Sequence, residues 1–146
     1  LDQPPADGDA EQRRLELVAG AIHKASDKIG DLVDEQPSLS GTSTTATVAL
    51  FAGESLAMGH TGDSRAYLFR DREISQLTSD HTFVQSLVDE GRLSSDEAST
   101  HPQRSVLTRA LDGRHEPDLD LSADLETSTW SVVQLMLPET TDTQST

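Results

Sequence analysis

The feature that most constrains this chain is a string of short alternating runs broken by turn residues, "TTATVALFAGESLAMGHTGDSRAYLFRDREISQL". In Thr44–Phe51, Ala46, Val48 and Leu50 alternate with Thr45 and Thr47, the period of a half-buried strand. Ser55–Gly59, Arg65–Arg70 and Glu73–Leu77 follow, separated by "AGE", by the Gly-Asp-Ser turn and by Asp71-Arg72. This order predicts a four-stranded antiparallel meander. A sheet needs an apolar partner layer. Glu11–Val33 supplies one, because Leu15, Val18, Ile22, Ala25, Ile29 and Leu32 recur at helical steps. Pro37 in "DEQPSLSG" stops that helix.

Around this unit the signals are local. Residues 1–10 are a Pro- and Asp-containing stretch without a period, expected to be a disordered leader. Thr82 opens a short helix: "TFVQ" fits a capping box, and Gly91 is placed to end it. Ser94 and Glu97 form a second capping box. "RSVLTRAL" reads as strand or short helix, "PDLDLS" alternates weakly, "SVVQLML" is an isolated apolar run and "PETTDTQST" is a polar tail.

A length of 146 residues suits one domain. The net charge of −15 argues against nucleic acid, whose phosphates need Lys and Arg. Without cysteine there is no disulfide or thiolate zinc site, which suits a cytoplasmic location. No apolar run approaches the ~20 residues of a membrane span. The chain starts at Leu1 rather than Met, which points to an upstream piece lost or removed.

The order of segments, "SGTSTTATVAL", "HTGDSRAYLFR", then "LTSDHTFVQSLVDEGRLSSDEASTHPQRSVLTRAL", resembles the central part of bacterial PP2C-type (PPM) protein phosphatases. The resemblance runs over about residues 15–112, and the long flap portion is its most specific part. It implies an α+β fold, an antiparallel β-sandwich with flanking helices and a flap at about residues 78–104. That partial domain would occupy residues 11–121, followed at 122–146 by a degenerate strand and a polar tail. The family reaction is hydrolysis of phosphoserine and phosphothreonine in phosphoproteins, using Mn²⁺ or Mg²⁺. A metal pair activates a bridging water there, and oxygen ligands suit such hard ions.

Against the family pattern, the chain lacks the Asn-x-Asp, Ala-Asp-Gly-x-Gly-Gly, Ser-Asp-Gly-x-x-Asp and late Asp-Asn segments that hold the metals. Ala6-Asp7-Gly8 is a decoy, without the glycine pair and too near "GTSTT". Where the Ser-Asp-Gly strand belongs, the chain carries Gln134 and Leu135. Only Asp63 carries over, onto the family position that helps hold a third, weaker metal. The expectation is that the chain binds no metal tightly.

Other polar residues have plainer readings. Asp63 alone would be a turn aspartate. Ser64 is a structural hydroxyl and Arg65 a salt-bridge residue. Asp80 and Thr82 would supply helix-entry hydrogen bonds while His81 packs in the flap, and His101-Pro102 is a turn. His23, His60, His81, His101 and His115 lack zinc-like spacing. Thr42, Ser43, Thr44, Thr45 and Thr47 are strand residues rather than a phosphate cradle.

The sequence therefore reads as a fragment or degenerate copy of a PP2C-type phosphatase, inactive as this chain alone. The alternative is a non-catalytic pseudophosphatase module that recognises a protein partner. A helix–strand adaptor unrelated to phosphatases is the third reading.

Overall fold

The computed structural model describes residues 7–126 and 132–136. In chain order these form α1 (Asp7–Glu35), a 3-10 turn (Pro37–Leu39), β1 (Ala46–Ala52), β2 (Ser55–Thr61), β3 (Arg65–Arg70) and β4 (Glu73–Gln76). Then come α2 (Phe83–Asp89), α3 (Ser95–Thr100), β5 (Asp120–Glu126) and β6 (Val132–Met136).

The strands stand where the alternation puts them, but they do not form one meander. They build two three-stranded antiparallel sheets, ordered β1-β2-β5 and β4-β3-β6. β1 pairs with β2, and β3 with β4 through an Asp71-Arg72 turn with both residues at positive φ. That is the backbone of a tight hairpin whose twist matches its strands. The expected β2–β3 pairing is absent from both sheets. β2 pairs instead with β5 and β3 with β6. Gly62 explains the change of sheet. Its φ of +105° lies in the left-handed region, and a Cβ there would overlap the Thr45 side chain. The chain at Gly-Asp-Ser thus steps from one layer to the other instead of folding back.

Helix α1 begins at Asp7, four residues ahead of the expected Glu11, so Asp7–Ala10 are helical rather than disordered; the rest of the expected leader lies outside the described residues. Its buried face is also phased differently. Val18, Ile22, Ser26 and Val33 are buried, whereas Ala25 and Leu32 are exposed. Repeated three-residue steps drift off a 3.6-residue face, so Ser26 and Val33 take those places. This face packs on β1, β2 and β5. Val18, Ile22, Ala57 and Leu111 form the core there, with Ala46, Val48 and Leu50 against it.

On β2, Gly59 turns toward Val18 and Ile22, so Leu56, Met58 and His60 lie on the opposite face by the strand period. All of them are buried, as are Ala66 and Leu68 of β3. A two-layer sandwich follows from this burial.

The flap helices obey their caps. Thr82 accepts a hydrogen bond from the Gln85 amide, and the Ser94–Glu97 capping box is complete. Gly91 at φ +70° ends α2, with Gly91 N–H donating to Val88 and Arg92 N–H to Leu87. "RSVLTRAL" is neither strand nor helix. It returns by single bridges, Leu107 with Thr82 and Leu111 with Thr44. β5 crosses the expected boundary at residue 122. The tail from residue 137 lies outside the described residues.

Candidate functional site

Asp63 follows the crossover at Gly62 and lines a groove of about 630 Å³. One wall is sheet, with Arg65, Tyr67 and Gln76; the other is flap, with Val84, Gln85, Val88, Ser95, Ala98 and Ser99. Asp80, Thr82, Arg104 and Ser105 close it. Burial raises the Asp63 carboxyl above the ordinary carboxylate range, and the Asp80 charge adds to that. Its own backbone amide, Arg65 and His60 act the other way.

Arg65 does make the expected salt bridge. Its Nε and Nη2 donate to the two carboxylate oxygens of Asp80 at 2.8 and 2.6 Å. This fork, first through those hydrogen bonds, raises the guanidinium pKa further. Asp80 therefore serves Arg65 rather than the entry of α2, and Thr82 caps the helix alone. Ser64 Oγ lies 2.6 Å from Thr45 Oγ1, a structural hydroxyl pair.

His81 is not mere filler. Gly62 N–H donates to its Nδ1 at 3.0 Å, which puts the ring proton on Nε2. Nε2–H then donates to Asp120 at 2.8 Å. Arg109 Nη1, 3.3 Å from the same imidazole nitrogen, donates to the other oxygen of that carboxylate at 2.9 Å, and Arg109 Nε pairs with Asp118 at 3.0 Å. The His60 ring lies 4.9 Å from that of His81. Its Nε2–H donates to the Ser79 carbonyl at 3.0 Å, and its Nδ1 accepts from Thr47 at 2.9 Å. Burial pushes the His60 pKa down, with His81 adding to the effect. Sequence reasoning passed over Arg109, Asp118 and Asp120. The only signal was the Thr-Arg-Ala-Leu stretch and the acidic alternation of "PDLDLS".

β6 places Gln134 opposite Tyr67, Leu135 opposite Ala66 and Met136 opposite Arg65. The strand next to the Asp63 end of β3 thus presents no carboxylate at these register positions. Among the described residues, no three acidic, histidine or cysteine side chains converge as a metal cluster.

Over residues 7–95 the chain matches the family model described as Protein phosphatase 2C. The chain belongs to the protein phosphatase 2C family. It is 46% identical over 122 residues to the serine/threonine protein phosphatase PstP of Mycobacterium tuberculosis, covering 83% of this chain and 23% of that protein. It is 33% identical over 99 residues to the serine/threonine phosphatase stp of Listeria welshimeri, covering 66% of this chain and 39% of the relative. The fold superposes on the crystal structure of the M. tuberculosis phosphatase PstP/Ppp with a TM-score of 0.79 at 42% identity. That match covers 92% of this chain and 54% of the other. A PstP catalytic domain in complex with two manganese ions matches with a TM-score of 0.71 at 38% identity, covering 92% of this chain and 52% of that one. The chain thus spans a quarter to a half of the length of these relatives. It corresponds to part of a bacterial PPM-type Ser/Thr phosphatase.

The PP2C family depends on Mn²⁺ or Mg²⁺, and the described residues lining the groove do not by themselves supply the ligands of a metal pair. Hard divalent ions need several oxygen ligands held together. Here the described carboxylates lining the groove are Asp63 and Asp80, and Asp80 is engaged by Arg65.

Proposed function

We propose that these residues supply the flap-bearing wall of a cytoplasmic phosphoserine/phosphothreonine protein phosphatase and do not turn over phosphoprotein substrate by themselves. The observation that carries this is the position of Asp63 in a groove between the β3–β4 sheet and the flap, with no second uncommitted carboxylate among the described residues lining that groove. In this reading residues 78–104 are the flap, and polypeptide around a phosphoresidue lies along the groove. Asp63 would contribute to a metal only together with carboxylates from other segments of a complete domain. Mn²⁺ or Mg²⁺, when bound there, supplies an activated water for hydrolysis.

The test is phosphate release from a phosphothreonine peptide in Mn²⁺, comparing this chain with Asp63→Asn. Neither protein is expected to show metal-dependent turnover. Robust Mn²⁺-dependent release that Asp63→Asn abolishes would overturn the proposal.

A further inference from the structure

Gly62 is held at both its backbone groups by one residue. Its N–H donates to His81 Nδ1 at 3.0 Å, and its carbonyl accepts from the His81 N–H at 2.9 Å. The next residue is Asp63, which lines the groove. Gly62 has little room to shift, because Thr45 packs where its Cβ would be. The peptide entering Asp63 is therefore tied through the Gly62 carbonyl to the His81 backbone, and the peptide before it through the Gly62 N–H to the His81 ring. That ring is itself buried and fixed from behind by Asp120, which Arg109 clamps.

We propose that His81 is a positioning residue: through Gly62 it sets the direction in which Asp63 delivers its carboxylate to the groove, with Asp120 and Arg109 as its backing. The role of Asp63 rests on the function proposed above; the linkage from His81 to Asp63 does not need metal or turnover. The chemistry explains why an imidazole suits the place. One ring must accept from an amide on one side and donate to a carboxylate on the other. An amide nitrogen left without that acceptor in a buried position is costly, so the turn would move to regain a partner. Second contacts of this kind commonly orient the groups that touch the ligand.

Two substitutions separate the halves of the ring. His81→Asn keeps an acceptor near the place of Nδ1 and gives up Asp120. His81→Gln keeps a donor near the place of Nε2 and gives up Gly62. The readouts are the Gly62 amide exchange rate and the Asp63 side-chain rotamer, taken from three-bond NMR couplings. Expected for His81→Gln is amide exchange faster by about tenfold, the scale of one lost buried hydrogen bond, and an averaged Asp63 rotamer. His81→Asn should keep both near wild type. Equal changes in the two variants, or an Asp63 rotamer unmoved by His81→Gln, would overturn the proposal. A further measurement needs no substitution: wild-type protein should show a scalar coupling between Gly62 N and His81 Nδ1 across the hydrogen bond, together with a single Asp63 rotamer. Absence of either overturns the proposal even where a variant fails to fold. All these readouts omit metal and phosphopeptide, so their failure would leave the proposed function standing, and turnover would leave them untouched.

Discussion

Arg65 and Asp80 are joined by a two-pronged ion pair at 2.8 and 2.6 Å, and it ties the start of β3 to the flap entry. Asp80 is the more buried partner, with 13% of its side chain exposed against 45% for Arg65. Removing the arginine leaves a sheltered carboxylate without its donors, whereas an exposed pair would matter little.

Arg65→Ala should therefore destabilise the protein by about 1–2 kcal/mol, between the range of an exposed pair and that of a buried charged hydrogen bond. Arg65→Lys should recover only part of this, since an ammonium cannot copy the planar fork. Urea midpoints for the three proteins check it. Full recovery by lysine would show that the fork geometry is unimportant.

Gly62→Ala should cost more than the roughly 1–2 kcal/mol of placing an ordinary L-residue in the left-handed region. The substitution is strained at φ +105° and also overlaps Thr45. Loss should extend beyond the turn, because Gly62 carries the His81 contact. Thermal melts and flap amide exchange are the measurements. A variant as stable as wild type would contradict the crossover geometry.

These two sites also show what the sequence could and could not convey. Strand positions were readable because alternation is a local property, and Asp71-Arg72 was readable as a hairpin because turn and strands are contiguous. The pairing of β2 was not, since Gly-Asp-Ser looks like a hairpin turn until Gly62 is seen packed against Thr45. Its true partner, β5, begins at Asp120 in a stretch of weak alternation. Asp63 was legible as a candidate through the family motif. The His81–Asp120–Arg109 chain was not, because it joins residues 39 and 11 positions apart. Contacts of that separation leave no local period.

His60 gives a pH dependence with a definite sign. Its folded-state pKa is lowered, chiefly by burial, with the neighbouring His81 in the same direction and Asp120 and the Ser79 carbonyl opposing. The unfolded chain therefore takes up a proton at His60 before the folded one does. Stability from this group is present above its ordinary value of 6.5 and is lost as pH falls below it. Asp120 and Asp112, whose pKa values are depressed, act in the same direction only below the ordinary carboxylate value of 3.8. Asp63, which is raised, acts oppositely, its stability contribution fading as pH rises. Between about pH 7.5 and 5.5 the wild type should thus lose more stability than His60→Gln, whose amide keeps a donor for Ser79. Parallel losses in the two proteins would remove His60 as the cause.

Phe69 and Ile74 face each other across β3 and β4, with 44% and 70% of their surface exposed. β4 is also the edge of its sheet. An apolar pair beside an open edge favours association between copies. The isolated chain should sediment as a concentration-dependent mixture, and Ile74→Lys should shift it toward monomer without lowering the melting temperature. A cooperative melt above about 60 °C from a monodisperse wild-type monomer would count against this.

Metal linkage tests the candidate site without any assay of turnover. A ligand that binds only the folded state stabilises it by RT ln(1 + [L]/Kd), which is about 2.7 kcal/mol when the ion is present at a hundred times its Kd. A resident Mn²⁺ pair at millimolar metal would reach that scale. Asp63 offers one carboxylate, and Asp80, the other described carboxylate lining the groove, is engaged by Arg65. Ions that shed water reluctantly gain little from a single ligand. Added Mn²⁺ at about 1 mM should therefore raise the stability by no more than a few tenths of a kcal/mol. Asp63→Asn should melt at the same temperature with and without the ion. Calorimetric scans of both proteins decide it: a large Mn²⁺-induced stabilisation that disappears in Asp63→Asn would mean that other residues complete a metal site around this carboxylate.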